Sequence, residues 1–304
     1  MKKPLVLTGE LDYTGTIKTG EGITLLPKTT YPDTYQPLLS LLQKRGALPL
    51  WAAGRIVDKL IERIGHTPLP AGPAEVLLSP TWADIRILPG VRSGQGPYLP
   101  PERRLSPERP MDGPEAVYHL CALLCHLLTG RTLSVEGMRT RRAGLRAGLQ
   151  GLGLEQGAET ALLSLLDHGL RLEPSRRFSD PEALRTAMWE VQAALNHATQ
   201  AHLRLAGTAG QFAGVRFALN TSLQFGRQPG ASQILFSPQT PGVSRLHCRV
   251  EMAWGTVLVT DLESRYGTFL GETRLISGIP VAWEPGQLLA LGSERQAFSL
   301  EIIQ

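Results

Sequence analysis

Four residues in the last third of the chain have side chains that could bind an anion. Arg227, Ser244, Arg245 and Arg265 lie in three separate stretches. An arginine guanidinium is a planar fork of N–H donors that stays charged at any working pH, and a serine hydroxyl adds an O–H donor. A phosphate dianion needs several donors that converge from different loops, and loop backbone N–H groups can add more. These residue types therefore indicate a candidate phosphate-binding site.

The stretches that carry these residues alternate with short runs typical of β-strands. After residue 210 the chain consists of such runs divided by turn residues. Many short strands at regular spacing are typical of an antiparallel sandwich. The predicted strands are Val215–Leu219, Gln233–Phe236, Leu246–Ala253, Thr256–Leu262, Leu288–Leu291 and Phe298–Ile303. The candidate donors are therefore expected in loops at strand ends.

Three motifs in this region, taken in order, closely resemble those of the forkhead-associated (FHA) domain. They are Phe225-Gly226-Arg227, then Gly242-Val243-Ser244-Arg245-Leu246-His247, then Asp261-Leu262-Glu263-Ser264-Arg265-Tyr266-Gly267-Thr268-Phe269. The resemblance covers roughly Phe212 to Gln304. It implies an all-β FHA sandwich that binds phosphothreonine, because a small pocket in the family takes the extra methyl group.

The resemblance also implies which residues would contact a phosphopeptide. Arg227 and Ser244 match the positions that contact the phosphate in the family, and Arg245 matches one that assists. Tyr266 departs from the family, which often has an Asn there that holds the peptide backbone. Arg265 beside it could supply a further charged donor.

Other residues of the motifs are expected to support the loops. By resemblance, His247 would bond neighbouring loop backbone through its ring, and Gly267 and Thr268 would fix a turn. Gly226 belongs to the same set of supporting residues. The alternative is an FHA fold that has lost phosphopeptide binding and serves only in assembly.

The earlier part of the chain has helical periodicity. Apolar residues recur on one face in Leu38–Leu42 and in Ile56–Ile64, and Val117–Leu128 is nearly all apolar. Asp180 followed by Pro181 is typical of a helix start. The predicted organisation is a short segment of remnant strands or a hairpin at 1–36, a mainly-α domain at 37–196, a linker at 197–211 and the FHA domain at 212–304.

Several fragments of the mainly-α part resemble, in order, the C-lobe of a protein kinase. They are Tyr98-Leu99-Pro100-Pro101-Glu102, Ala116–Leu120, Leu127–Gly130, Leu163–Leu170 and Glu173-Pro174-Ser175-Arg176-Arg177. The resemblance runs from Pro37 to Leu195. It implies a buried or half-buried ion pair between Glu102 and Arg177. The alternative for this half is an unrelated all-α domain.

On the kinase frame the catalytic groups are replaced. Pro70 stands for the catalytic Asp, Glu75 for the metal-binding Asn and Leu88 for the metal-binding Asp. Phosphoryl transfer depends on positioning and on charge neutralisation by Mg²⁺ and a Lys. The segment before Pro37 is also too short for a nucleotide-clamping N-lobe. The resemblance therefore predicts a pseudokinase lobe that is not an enzyme, with no catalytic residue, cofactor or bound metal.

Composition argues against several other classes of protein. The 31 basic and 27 acidic residues among 304 give a net charge of +4, a weaker basic footprint than a nucleic-acid-binding protein usually shows. The densest apolar stretch is too short to span a bilayer. Three cysteines rule out a disulfide framework and favour a cytoplasmic location. Cys121 and Cys125 stand at helical spacing that could suit a metal, but the apolar segment favours core packing.

The sequence thus predicts a phosphothreonine-binding signalling adaptor. Its FHA domain would capture a threonine-phosphorylated protein modified by a separate Ser/Thr kinase, and the kinase-like lobe would be a docking surface. No nucleic acid and no membrane insertion are expected. Two alternatives stay open, namely a phosphate-independent assembly module of a multiprotein machine and a minimal atypical kinase.

Overall fold

The computed structural model describes residues 35–64, 72–80, 84–88, 97–105, 111–132, 141–219 and 222–303, and the backbone of three short strands before them. A helical region is followed by a C-terminal β-sandwich. Across these described ranges, no helix is both long enough and apolar enough to cross a bilayer.

The helices surround one buried helix. Within the described residues they are α1 (Leu38–Arg45), α2 (Leu50–Ile64), α3 (Gly113–Thr129), α4 (Arg141–Gln150), α5 (Gln156–Gly169) and α6 (Pro181–His202). Helix α3 packs against α2, α4, α5 and α6. Most of its residues are buried and apolar, as expected of a helix at the centre of a bundle. A capping box between Asp112 and Glu115 begins it, and Gly130 ends it in the left-handed conformation.

The two cysteines of α3 are part of this core. Cys121 and Cys125 are both buried among leucines. Burial raises the pKa of the Cys121 thiol to about 12, so it stays a neutral packing group. No group of three or more potential metal ligands is found in the part of the chain that the structure describes.

Six short strands among the described residues before α3 form two small sheets. Strands β1 (Glu10–Leu11), β2 (Ile17–Thr19) and β3 (Gly22–Thr24) pair antiparallel in sequence order. Strands β4 (Gln36–Pro37), β5 (Val76–Leu78) and β6 (Ile85–Ile87) form the second sheet. The residues of β5 are all buried, so this hairpin is anchored to the helical core.

Within the part of the chain that the structure describes, eleven strands form the sandwich. They are β7 (Leu203–Ala209), β8 (Arg216–Ala218), β9 (Ser222–Gly226), β10 (Ile234–Leu235), β11 (Cys248–Ala253), β12 (Thr256–Asp261), β13 (Thr268–Leu270), β14 (Thr273–Arg274), β15 (Val281–Ala282), β16 (Leu288–Leu291) and β17 (Ser293–Ile302). One sheet has the order β10-β9-β11-β12-β15 and the other β14-β13-β16-β17-β7-β8. The core between them includes edge-to-face contacts of Phe298 with Phe225 and of Phe236 with Phe212.

The prediction of a linker at 197–211 is wrong. Helix α6 continues to His202, and strand β7 begins at the next residue. Strand β7 pairs with both β17 and β8, so it belongs to the sandwich. The Gly, Ala and Thr residues of this stretch suggest a loop in sequence, but Leu205 and Ala206 are buried and backbone pairing holds the strand.

One tryptophan joins the sandwich to the helices. Trp254 lies in the two-residue turn between β11 and β12, with φ at +52° followed by Gly255 at +73°. Its ring packs on α2, where a Cβ added to Gly54 would lie 2.3–2.6 Å from the ring atoms. Trp254 is only 4% exposed and belongs to the helical core. The glycine in the middle of α2 is therefore explained by the close approach of this ring.

Polar contacts hold the same turn against α6 and α2. The side-chain amide of Asn196 donates to the carbonyl of Met252 at 3.2 Å and accepts from the N–H of Gly255 at 2.8 Å. Arg55 of α2 forms an ion pair with Glu251 of β11 at 2.8 Å. The helices thus cover one end of the sandwich, and the loops at the other end face away from them.

Candidate functional site

The strand directions bring three loops to the end of the sandwich opposite Trp254. Strands β9 and β12 both run antiparallel to β11. Three loops therefore meet at the same end, namely those after Gly226, before Cys248 and after Asp261. Strand β11 has six residues, so at about 3.4 Å per residue this end is roughly 20 Å from the helical region.

Arg227 is half-buried and is held by the loop between β10 and β11. Its Nε donates to the carbonyl of Val243 at 2.5 Å, and its Nη1 donates to the carbonyl of Pro238. Its Nη2 donates to no residue that the structure describes. The guanidinium is thus fixed in place with one nitrogen still able to bind an anion.

Ser244 connects two of the three loops. Its Oγ accepts a hydrogen bond from the backbone N–H of Arg265 at 3.0 Å. That bond uses the oxygen as acceptor, so the hydroxyl proton can still be donated to a ligand. Backbone contacts bring Arg227 to the same loop, because its N–H donates to the carbonyls of Ser244 and Arg245 at 3.1 and 3.0 Å. Arg227 and Ser244 are therefore neighbours at this end of the sandwich.

His247 is fully buried beneath Ser244. Its Nδ1 accepts from the backbone N–H of Ser244 at 3.0 Å, and its Nε2 lies 3.2 Å from the carbonyl of Gly267. These partners require the neutral ring with its proton on Nε2. Burial lowers the pKa of His247, although the Gly267 carbonyl and the charge of Asp261 oppose this effect. His247 therefore holds the loop of Ser244 to the loop of Gly267.

Two glycines permit close contacts between these loops. A Cβ at Gly226 would lie 2.1 Å from the carbonyl oxygen of Arg245, so a side chain there would push the two loops apart. Gly267 has φ at +90°, a conformation that other residues rarely adopt. Both positions therefore need glycine for the loops to keep this arrangement.

Asp261 supports the third loop and was not identified from the sequence as a site residue. Its buried carboxylate accepts hydrogen bonds from the hydroxyls of Ser264, Thr268 and Ser277, each at 2.5 Å. Burial alone would raise its pKa, but these hydrogen bonds together lower it. The sequence signal was an acid followed by hydroxyl residues 3, 7 and 16 positions later. Only the fold brings these hydroxyls to one carboxylate.

The outer surface of the loops is basic and exposed. Arg245, Arg265 and Tyr266 are all exposed, and the Arg265 guanidinium lies 5.5 Å from the centre of the Tyr266 ring. Tyr266 is 54% exposed, so its ring is available to a ligand. The structure thus brings Arg227, Ser244, Arg245, Arg265 and Tyr266 to one surface, with Gly226, His247, Gly267 and Thr268 beneath them.

The ion pair between Glu102 and Arg177 is present in the helical region. The two guanidinium nitrogens of Arg177 donate to the two carboxylate oxygens of Glu102 at 2.6 and 3.0 Å. The Arg177 side chain is fully buried and Glu102 is half-buried. A second buried pair joins Arg103 to Glu115 at 3.1 Å, which the sequence analysis did not identify.

Comparison with known proteins identifies the family of the central part of the sandwich. The sequence profile of the FHA domain family matches residues 223–292. This stretch runs from the second residue of β9 through β16 and contains all of the loop residues described above, so the C-terminal part of the chain contains an FHA domain. No curated protein matches the chain.

Solved structures of FHA domains match about a third of the chain. The FHA domain of CT664 from Chlamydia trachomatis is 24% identical with a TM-score of 0.30, covering 34% of this chain and 99% of that one. The Rv1747 FHA-1 domain of Mycobacterium tuberculosis is 19% identical, with a TM-score of 0.27 and coverage of 34% and 97%. The N-terminal FHA domain of S. cerevisiae Rad53p, solved with a phosphothreonine peptide, is 21% identical, with a TM-score of 0.27 and coverage of 34% and 92%.

Proposed function

We propose that this protein is a phosphothreonine-binding adaptor whose FHA domain captures a partner modified by a separate Ser/Thr kinase. The observation that carries the proposal is the meeting of Arg227 and Ser244 at the open end of the sandwich. A charge-assisted hydrogen bond from a guanidinium and one from a hydroxyl suit a phosphate dianion. The preference for threonine over serine follows from the resemblance of this region to FHA domains.

The binding of a phosphothreonine peptide to the full chain tests this proposal. Each hydrogen bond to a charged group contributes about 1.5–3 kcal/mol, so Arg227→Ala should weaken binding at least ~10-fold. Arg216→Ala is a matched control, because Arg216 is exposed on β8 at the far edge of the other sheet. Equal binding by Arg227→Ala and the parent, measured by isothermal calorimetry, would contradict the proposal.

Phosphatase treatment separates this proposal from a phosphate-independent assembly module. Two observations favour that second candidate, because Tyr266 replaces the peptide-holding Asn of the family and two nitrogens of Arg227 already donate to backbone carbonyls. The adaptor loses its captured partner after phosphatase treatment. An assembly module keeps the partner, and the Arg227→Ala variant keeps it as well.

We further propose that the helical region is a degenerate kinase C-lobe. Two features support this. The Glu102–Arg177 pair has the partners that the kinase frame implies. The backbone N–H of Leu88 donates to the carbonyl of Glu75 at 2.8 Å, so the two positions that would hold metal in a kinase are adjacent. Pro70 lies outside the described residues.

The chemistry of these positions favours a docking role over catalysis. Leu88 offers no metal ligand, and Glu75 is buried with its pKa raised by desolvation. Mg²⁺ prefers charged oxygen ligands, and burial disfavours the charged form of the Glu75 carboxyl. Differential scanning fluorimetry with ATP and Mg²⁺ tests the point. No shift in unfolding temperature is expected, and a shift with turnover would favour the minimal kinase. The cytoplasmic location stays a prediction.

A further inference from the structure

Arg274 lies at the phosphate-binding end although it stands outside the three motifs. Strand β14 pairs with β13 so that Arg274 is opposite Phe269, and the N–H of Leu275 donates to the carbonyl of Thr268 at 2.8 Å. The hairpin therefore returns the chain to the point where β13 began, next to the loop of Tyr266.

The guanidinium of Arg274 packs against Gly267. A Cβ at Gly267 would lie 2.6 Å from Nε and 3.3 Å from Nη2 of Arg274. The carbonyl of Gly267 is also the partner of His247, which in turn holds Ser244. Arg274 is thus linked to Ser244 through two contacting residues, Gly267 and His247.

Two arginines elsewhere in the sandwich are paired with acidic residues. Arg216 and Arg249 form ion pairs with Glu301 and Glu251, at 2.7 and 3.4 Å. By contrast, Arg245, Arg265 and Arg274 are exposed, and none of them has an ion-pair partner among the residues that the structure describes. Three guanidinium groups without ion-pair partners among the described residues therefore lie around the three loops, which also contain the exposed Glu263.

One phosphate group does not account for this charge. A phosphothreonine carries about two negative charges, which Arg227, Ser244 and loop N–H groups can bind. Further unpaired guanidinium groups attract further negative charge and exclude basic ligands. We propose that the ligand is a phosphothreonine segment flanked by acidic residues, and that Arg274, with Arg245 and Arg265, selects it. This inference rests on the proposed phosphothreonine binding.

Three synthetic peptides bound to the full chain test the inference. One has phosphothreonine between three aspartates on each side, the second has phosphothreonine between serines and alanines, and the third is the aspartate peptide with unmodified threonine. We expect the parent to prefer the first to the second, and Arg274→Gln to weaken the first by about three- to fivefold, the scale of an exposed ion pair. Arg274→Lys should restore part of the preference, because it keeps the charge.

Arg216→Gln is the matched control. Arg274 and Arg216 lie on opposite edge strands of the same sheet, roughly 24 Å apart at the usual strand spacing, and both are exposed. The control removes the same charge and should bind both phosphopeptides like the parent.

The possible outcomes separate this inference from the proposed function. Equal binding of the two phosphopeptides by the parent, or an equal loss of both in Arg274→Gln, overturns the selection of acidic ligands and leaves phosphothreonine binding intact. Equal binding of the phosphorylated and unmodified aspartate peptides, or no binding of either phosphopeptide, overturns the proposed function and this inference with it.

Discussion

The two ends of the FHA sandwich differ in what their buried side chains contact. At one end, the ring of Trp254 enters the helical core, and Asn196 binds the backbone on both sides of the turn. At the other end, the buried groups are His247 and Asp261, which bind only the loops of the sandwich itself. The first end is covered by the helices, whereas the second is supported by its own buried groups and leaves Arg227 and Ser244 partly exposed.

This difference separates folding from binding within one domain. The covered end buries an aromatic ring, which is a stabilising contact and leaves nothing for a ligand to recognise. The open end is held by hydrogen bonds to buried polar groups, so the exposed side chains above them do not have to stabilise the fold. Substitutions at one end are therefore expected to leave the other end largely unaffected.

The largest expected effect comes from removing the ring at the covered end. Trp254→Ala should lower the free energy of unfolding by about 3–5 kcal/mol, because it leaves a cavity against Gly54. Phosphopeptide affinity should change less than about twofold, since the open end is roughly 20 Å away. Urea denaturation followed by circular dichroism measures the first quantity and calorimetry the second.

A second variant distinguishes the loss of the ring from backbone strain in the turn. Asparagine tolerates positive φ better than alanine does, so Trp254→Asn removes the ring with less strain at φ +52°. Trp254→Asn should still show most of the decrease in the free energy of unfolding that is expected for Trp254→Ala. A loss below about 1 kcal/mol in both variants would show that the ring does not join the two regions.

The next effect is at the open end and concerns Asp261. Asp261→Ala should lower the free energy of unfolding by about 2–4 kcal/mol, because three hydroxyls lose a charged acceptor. Unlike the Trp254 variants, it should also weaken phosphopeptide binding, since Ser264 and Thr268 hold the loop of Tyr266. Asp261→Asn keeps an acceptor, so it should lower the free energy of unfolding and the phosphopeptide affinity by less. An unchanged affinity in Asp261→Ala would break the proposed division between the two ends.

A smaller effect is expected from pH through His247. The unfolded chain binds a proton near pH 6.5, whereas burial lowers the pKa of the folded ring. Between these two pKa values the unfolded state holds the extra proton, so stability should fall as the pH drops below about 6.5. Nuclear magnetic resonance of the ring protons, assigned with His247→Asn, gives the midpoint. A midpoint at or above the ordinary value would contradict this expectation.

The smallest effect is expected from the ion pair at the covered end. Arg55 and Glu251 are both partly exposed, so solvent weakens their attraction. A double-mutant cycle with Arg55→Gln and Glu251→Gln should give a coupling below about 1 kcal/mol. A coupling above about 2 kcal/mol would mean that charge, rather than the Trp254 ring, holds the two regions together.

Much of the sandwich and its site could be predicted from the sequence. Strands β11, β12 and β16 lie where short runs between turn residues predicted them. Strand β11 alternates between buried and half-buried residues, as a strand with one face on the core does, whereas β12 and β16 are almost entirely buried. The residues expected at the site do lie together, since their motifs occur at strand ends. The sequence predicts a linker where strand β7 lies, because its Gly, Ala and Thr residues carry little periodic signal. Its pairing with β17 joins residues far apart in the chain, which local patterns do not show.

The amino-acid order alone determined which groups can bind an anion, where helices give way to strands, and which two charged residues of the helical region could pair. Only the tertiary structure decided that Asp261 collects three hydroxyls, that Arg274 returns to the loops, and that Trp254 covers the opposite end. The physical reason is that periodicity and turn chemistry are local, whereas these contacts depend on strand pairing between distant segments. A contact of that kind has no signature in the spacing of neighbouring residues.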